Sequence, residues 1–84
     1  MAEKVLVGKV AHYYDKAGVA AIKLTDSLAV GDRISIERGE ETFEQAVTSM
    51  QIEHKAVQSA KKGDDVGIKV DMPAHEGASV YRLV

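Results

Sequence analysis

Alternating hydrophobic and polar positions divide most of the chain into short strands separated by turns. Between residues 33 and 38, Ile34 and Ile36 alternate with polar or charged neighbours. This period of two is typical of a half-buried antiparallel strand. Similar alternation, or enrichment in β-branched and aromatic residues, predicts strands over residues 5–14, 19–25, 33–38, 65–70 and 79–84. The pattern therefore predicts a domain built mainly from β-strands.

Turn residues precede several of these predicted strands. Gly31-Asp32 and Gly63-Asp64 each stand before a run of alternating aliphatic residues, and Gly77 precedes the last predicted strand. Glycine adopts positive φ without steric cost, and aspartate hydrogen-bonds to nearby backbone groups. We therefore predict that these five residues form structural turns and bind no ligand.

Residues 42–62 are compatible with two interpretations. Five residues recur there at helical spacing, namely Phe43, Val47, Met50, His54 and Val57. Thr42 and Gln45 fit a capping box, and Gly63 fits the position that follows a helix. The local pattern thus favours a helix. The alternative is an extended run over residues 42–52 that contains a β-bulge.

Length and composition limit the class of protein. The chain has 84 residues, a net charge of −2 and no cysteine. This length predicts a single domain over residues 1–84. The nearly balanced charge argues against a strongly basic protein that coats nucleic acid. Without cysteine, disulfides, zinc–thiolate sites and thiol nucleophiles are excluded. No apolar run approaches the ~18 residues of a membrane span, and the N-terminus lacks the build of a cleavable signal. We therefore expect a cytoplasmic protein that does not bind membranes.

The residues that could support catalysis or metal binding are scattered. The three histidines lie in different predicted elements, at His12, His54 and His75. Their spacing does not match that of metal ligands. Glu40, Glu41 and Glu44 surround a predicted turn, and the simplest interpretation is a solvated hairpin. We therefore expect no catalytic residues, no metal, no cofactor and no enzymatic activity.

Three motifs resemble a known family. Residues 28–34, with the sequence Leu-Ala-Val-Gly-Asp-Arg-Ile, resemble the L-x-V-G-D-x-[IV] turn in the second domain of translational GTPases such as elongation factor Tu. Residues 60–68 resemble the A-x-x-G-D-x-V-G-[IV] signature of that domain, and Glu76-Gly77 before Val80 resembles its R-G-x-V turn. The chain is also similar to small elongation-factor-like proteins of archaea and bacteria, and to the C-terminal barrel of certain collagenase-like peptidases.

The resemblance to the translational GTPases implies a fold and excludes one activity. It implies a small closed six-stranded antiparallel β-barrel that covers nearly the whole chain. Residues 42–53 would then form a strand, and residues 54–62 mostly a loop that could include one helical turn. The Gly-x-x-x-x-Gly-Lys-[Ser/Thr] motif of a GTP-binding domain does not occur in the sequence. We therefore expect no nucleotide binding.

A short basic segment is the candidate binding site. Its four cationic or titratable residues lie within nine positions, at His54, Lys55, Lys61 and Lys62. Lysines in a loop can bind phosphate groups, although they more often only solvate the loop. Tyr13 or Tyr14 could add a stacking surface, unless one packs in the core and the other covers one end of the barrel. The candidate binding residues are therefore these four and Tyr13.

Two functions are compatible with these features. The resemblance implies a non-catalytic module that contacts the ribosome, tRNA or a translation factor. The alternative is a protein–protein adapter for an enzyme whose homologues carry the barrel as a fused domain. The slightly acidic net charge favours the adapter, because free nucleic-acid-binding proteins are usually basic. The fold alone does not decide between the two.

Overall fold

Ten β-strands form the fold, and the computed structural model contains no helix in residues 3–83, the part of the chain that it describes. The strands are β1 (Lys4–Tyr14), β2 (Val19–Leu24), β3 (Leu28–Ala29), β4 (Arg33–Arg38), β5 (Glu41–Ala46), β6 (Met50–Ile52), β7 (Lys55–Val57), β8 (Ser59–Ala60), β9 (Asp65–Lys69) and β10 (Ser79–Leu83). Val84, which the sequence placed in the last strand, lies outside the described residues, as do Met1 and Ala2. Accordingly, no helix in this range has the length and apolar character needed to cross a bilayer.

Eight strands form one antiparallel sheet in the order β5-β4-β10-β1-β2-β9-β6-β7, and β3 pairs separately with β8. β1 is the longest strand, and its pairing registers shift near Gly8 and between Val10 and His12. Such bulges bend a strand and increase its twist. The predicted all-β fold is confirmed. The predicted closed six-stranded barrel is wrong, because this sheet has eight strands and ends at β5 and β7 without closing.

A side chain bridges the gap between β5 and the end of β9. Gln45 Nε2 donates a hydrogen bond of 2.8 Å to the carbonyl oxygen of Lys69. Gln45 Oε1 accepts one of 2.8 Å from the N–H of Asp71. The Gln45 side chain is buried, and its amide takes the place that backbone pairing would have in a closed sheet.

Residues 42–62 contain strands instead of the helix that local periodicity favours. β5 pairs with β4, and the N–H of Val47 extends this pairing by donating to the carbonyl oxygen of Asp32 at 2.8 Å. β6 and β7 form a hairpin, and β6 also pairs with β9. The helical interpretation is wrong because these partners, distant in sequence, satisfy the backbone groups that a helix would pair locally.

Aliphatic side chains fill the core. The largest fully buried ones are Ile22, Leu24, Leu28, Ile34, Met50, Ile68, Val7, Val47, Val66 and Val80. Tyr13 and Phe43 are partly buried and pack against this cluster from its margin. Because aliphatic groups occupy the interior, the candidate binding surfaces lie on the outside of the domain.

One outer face carries a small polar network that links β1, β10 and β4. Lys4 Nζ lies 2.8 Å from Glu37 Oε2 and 4.6 Å from the centre of the Tyr81 ring. Ser35 Oγ donates a second hydrogen bond of 3.0 Å to the Glu37 carboxylate. The hydrogen bond from Lys4 lowers the pKa of Glu37, and the same contact raises the pKa of Lys4. The network thus connects side chains of three strands whose register is set by backbone pairing.

Candidate binding surfaces

The four residues of the predicted basic segment lie on two separate elements. His54 is in the turn between β6 and β7, and Lys55 begins β7. Lys61 and Lys62 follow β8, which belongs to the two-stranded sheet. All four residues are exposed. Their role in binding stays a prediction.

The two tyrosines near the end of β1 have different environments. Tyr13 is partly buried and packs against the core. Tyr14 is 53% exposed, and its ring meets the His12 ring edge-on with centroids 4.4 Å apart. Neighbouring residues of a strand face opposite sides, which explains the difference. The aromatic ring open to a partner at this point is therefore that of Tyr14.

The same turn geometry occurs at both Gly-Asp pairs. The turn glycines have positive φ angles of 99° at Gly31, 92° at Gly63 and 85° at Gly77. Asp32 Oδ2 accepts a hydrogen bond of 2.9 Å from the N–H of Ala29, and Asp64 Oδ2 accepts one of 3.0 Å from the N–H of Lys61. At both positions, a side-chain oxygen caps a four-residue turn and glycine supplies the left-handed conformation.

The first of two open grooves, the Tyr14 groove, has a volume of about 570 Å³. Its lining includes the small residues Ala17, Ala21 and Gly67. Its remaining lining is Tyr14, Val19, Gln51, Glu53, His54, Asp65 and Val66. The groove thus joins an exposed aromatic ring to the turn of the β6–β7 hairpin.

That turn has a strained backbone. Glu53 and His54 have φ angles of 52° and 66°, and they form the two-residue connection between β6 and β7. Positive φ at both central residues is the geometry of a type I′ turn, which favours Asn-Gly. A side chain at positive φ costs roughly 1 kcal/mol or more. Strain of this kind at the rim of a groove marks the Tyr14 groove as a candidate site.

Replacing Glu53-His54 by Asn-Gly is expected to stabilise the protein by about 1 kcal/mol, because the new residues adopt the existing turn with less strain. Urea unfolding measures this change. The control is Gly39→Ala, in the β4–β5 turn, where φ is 61° and a side chain should reduce stability. If the Asn-Gly variant is no more stable than the original protein, the turn carries no strain that matters to folding.

The second groove, the β5 groove, lies between β5 and residues 72–75 and has a volume of about 470 Å³. Its apolar lining is Ile36, Phe43, Met72, Pro73, Ala74 and Ala78. Its polar lining is Arg38, Glu40, Glu41, Thr42 and His75. Met72 is 54% exposed, and His75 Nε2 lies 3.4 Å from Glu41 Oε2. This groove was not predictable from the sequence, because no local pattern connects β5 with Met72.

Metal ligands are not grouped in the described part of the chain. In residues 3–83, no three histidine, aspartate or glutamate side chains lie where they could hold one ion. His12 Nδ1 instead lies 2.8 Å from Glu76 Oε1. The Tyr14 groove and the β5 groove are therefore the candidate binding surfaces in this part of the chain.

The fold matches that of a C-terminal domain known from crystal structures. Two crystal structures of the C-terminal domain of a putative U32 peptidase from Geobacillus thermoleovorans, one of them a selenomethionine variant, each match with a TM-score of 0.86. The matches cover 90% and 92% of this chain and 96% and 90% of those domains. The sequence identities are 22% and 21%, so this similarity establishes the fold alone.

A sequence relative is also a protease. The chain is 45% identical over 82 residues to an uncharacterized protease of Methanocaldococcus jannaschii. The match covers 95% of this chain but 20% of the protease, so the chain spans about a fifth of that relative's length. No family model matches the chain.

These comparisons correct the predicted family. The relatives are proteases and peptidase domains, so the assignment to the second domain of translational GTPases is wrong, as is the elongation-factor-like description. The ribosome and tRNA have no support as partners. The misleading motifs centre on Gly31-Asp32 and Gly63-Asp64, whose residues form the backbone turns described above. Such turns are needed in many small β-domains, which explains why they do not identify a family.

Proposed function

We propose that the chain is a non-catalytic protein-binding module whose partner is the remainder of a protease like its relatives. The observation that carries this proposal is the match of 95% of the chain to 20% of the M. jannaschii protease. A domain within a larger protein commonly contacts the rest of it through an interface of moderate size. This favours the adapter interpretation over the translational one.

The shape of the surface supports a protein partner. Both grooves are open, and each presents one exposed large hydrophobic side chain, Tyr14 in one and Met72 in the other. Small-molecule sites usually bury most of their ligand, whereas contacts with polypeptides use open surfaces with aromatic or methionine anchors. The binding role of the exposed residues Lys55, Lys61 and Lys62, none of which lines either groove, stays a prediction.

The test is a calorimetric titration of the chain into the M. jannaschii protease produced without its matched 82 residues. We expect a one-to-one complex with a dissociation constant in the micromolar range, as is common for modest interfaces between domains. Tyr14→Glu or Met72→Glu should weaken the complex, whereas the control Lys9→Glu, at an exposed position outside both grooves, should not. Absence of a complex by calorimetry and sedimentation would contradict the proposal.

A further inference from the structure

β5 presents an unpaired edge. It pairs with β4 on one side, and within residues 3–83 no strand pairs with its other side. The N–H of Val47 points towards β4, since it donates to the carbonyl oxygen of Asp32. Backbone direction alternates along an antiparallel strand. Thr42 and Glu44 therefore direct their N–H and C=O groups away from β4, towards the open side.

This edge borders the β5 groove. The seam between β5 and residues 69–75 is bridged at one end by the hydrogen bonds of Gln45 to Lys69 and Asp71. At the other end, Thr42 and Phe43 line the groove on one side, and residues 72–75 line it on the other. The open end of the seam thus combines free backbone groups with an apolar floor.

The two edges of the sheet are protected to different extents: β7 is short and begins with a lysine, whereas β5 is longer and its charged residues are Glu41 and Glu44. β7 contains three residues and begins with Lys55. Short strands and lysine are two common means of preventing edge pairing. β5 contains six residues and has neither lysine nor proline. The difference singles out β5 as the edge open to an additional strand.

The charges beside this edge favour one kind of occupant. Residues 40–46 contain Glu40, Glu41 and Glu44 and no lysine or arginine. Arg33 lies 3.8 Å from Glu44 at an exposed position, and Arg38 also lines the groove, so the acidic charge is partly balanced. Two copies paired through β5 would bring carboxylates close together, which is unfavourable. A basic segment of another polypeptide is the complementary occupant.

We propose that β5 binds an extended segment of a partner protein as an added strand, in which apolar residues alternate with lysine or arginine. The partner's backbone would pair with the free groups of Thr42 and Glu44. Its apolar side chains would face Phe43 and Met72, and its basic side chains would lie on the face of Glu44. This is recognition by strand addition, in which backbone pairing gives affinity and alternate side chains give specificity. That the occupant is a protein rests on the proposed function.

The test uses a blocked six-residue peptide of alternating valine and lysine, titrated into the ¹⁵N-labelled full chain. We expect the largest shifts at the amides of Thr42 and Glu44 and in residues 72–75, and slower hydrogen exchange at those two amides. Thr42→Pro removes one outward N–H without removing a β4–β5 hydrogen bond, and should weaken binding about tenfold. The matched control is Ala56→Pro, at an exposed position of the edge strand β7.

Several results would overturn this inference. The first is that the peptide does not bind, or that it binds the original protein and Thr42→Pro equally well. The second is that the amide shifts are confined to the Tyr14 groove. The third is that the protein forms dimers through β5. Equal binding of a peptide with glutamate in place of lysine would also overturn it. If Thr42→Pro does not fold, Met72→Asn, which removes the exposed apolar side chain without adding charge, should weaken binding by a similar factor.

The outcomes for the two proposals are separable. A complex with the protease remainder that is unaffected by Thr42→Pro and Met72→Asn would overturn the β5 inference and leave the proposed function standing. Peptide binding at β5 without any complex with the protease remainder would overturn the proposed partner alone.

Discussion

Gly8→Ala is expected to lower the free energy of unfolding by about 3 kcal/mol, since a single added carbon has no space at this position. Gly8 is in β1, opposite Leu24 on one side and Val80 on the other. A Cβ atom there would lie 2.5 Å from the carbonyl oxygen of Lys23 and 2.8 Å from Cγ2 of Ile22. Backbone atoms of a paired strand cannot move aside without breaking the pairing between β1 and β2.

The matched control for this substitution is Gly67→Ala. A Cβ atom at Gly67 would lie 3.1 Å from Cγ1 of Val19, which is a side-chain atom and can shift by a few tenths of an ångström. We expect a much smaller loss of stability there. Thermal unfolding of both variants measures the difference, and the melting temperature of Gly8→Ala should fall by at least about 12 °C. Equal melting temperatures would show that β1 and β2 can separate locally at little cost.

Strands with strict alternation were predictable from the sequence. The segment with Ile34 and Ile36 was expected at residues 33–38, and β4 has these bounds. The signal is readable there because Ile34 and Ile36 belong to the buried core cluster and the residues between and beside them are polar. The period of two follows directly from strand geometry. Where apolar and polar residues do not alternate, this signal weakens.

Residues 42–62 show why strands without strict alternation could not be predicted from the sequence. Phe43, Val47 and Met50 have helical spacing, but they reach the core from β5, from the segment after it and from β6. Gln45 fitted the capping box of a helix, whereas its amide bonds to Lys69 and Asp71. A partner 24 residues away leaves no trace in the local pattern.

The candidate surfaces depend even more on long-range pairing. The sequence drew attention to His54 and Lys55, and the structure places His54 in the lining of the Tyr14 groove. No sequence pattern connects Met72 with β5. The two meet because β5 pairs with β4 and β4 pairs with β10, and this pairing determines which elements lie beside the free edge of β5. Glu40 and Glu41, which the sequence suggested were only part of a solvated hairpin, line the β5 groove.

Gln45→Leu is expected to lower the free energy of unfolding by about 2 kcal/mol. Leucine preserves most of the buried volume but removes both hydrogen bonds across the seam, to the carbonyl oxygen of Lys69 and from the N–H of Asp71. Gln45 is 5% exposed, so water has little access to the amide and replaces its bonds poorly. Each backbone group that is left without a partner then costs on the order of 1 kcal/mol.

The matched control for this variant is Gln51→Leu, at an exposed position of β6, which should change stability by at most about 0.5 kcal/mol. Chemical unfolding measures both variants, and hydrogen exchange adds a local readout. The amide of Asp71 should exchange faster in Gln45→Leu than the loss of global stability explains, because its acceptor has gone. If Gln45→Leu and Gln51→Leu were equally stable and Asp71 stayed protected, the side-chain bridge would not hold β5 to the end of β9. The open end of the seam would then need another support to keep the β5 groove in shape.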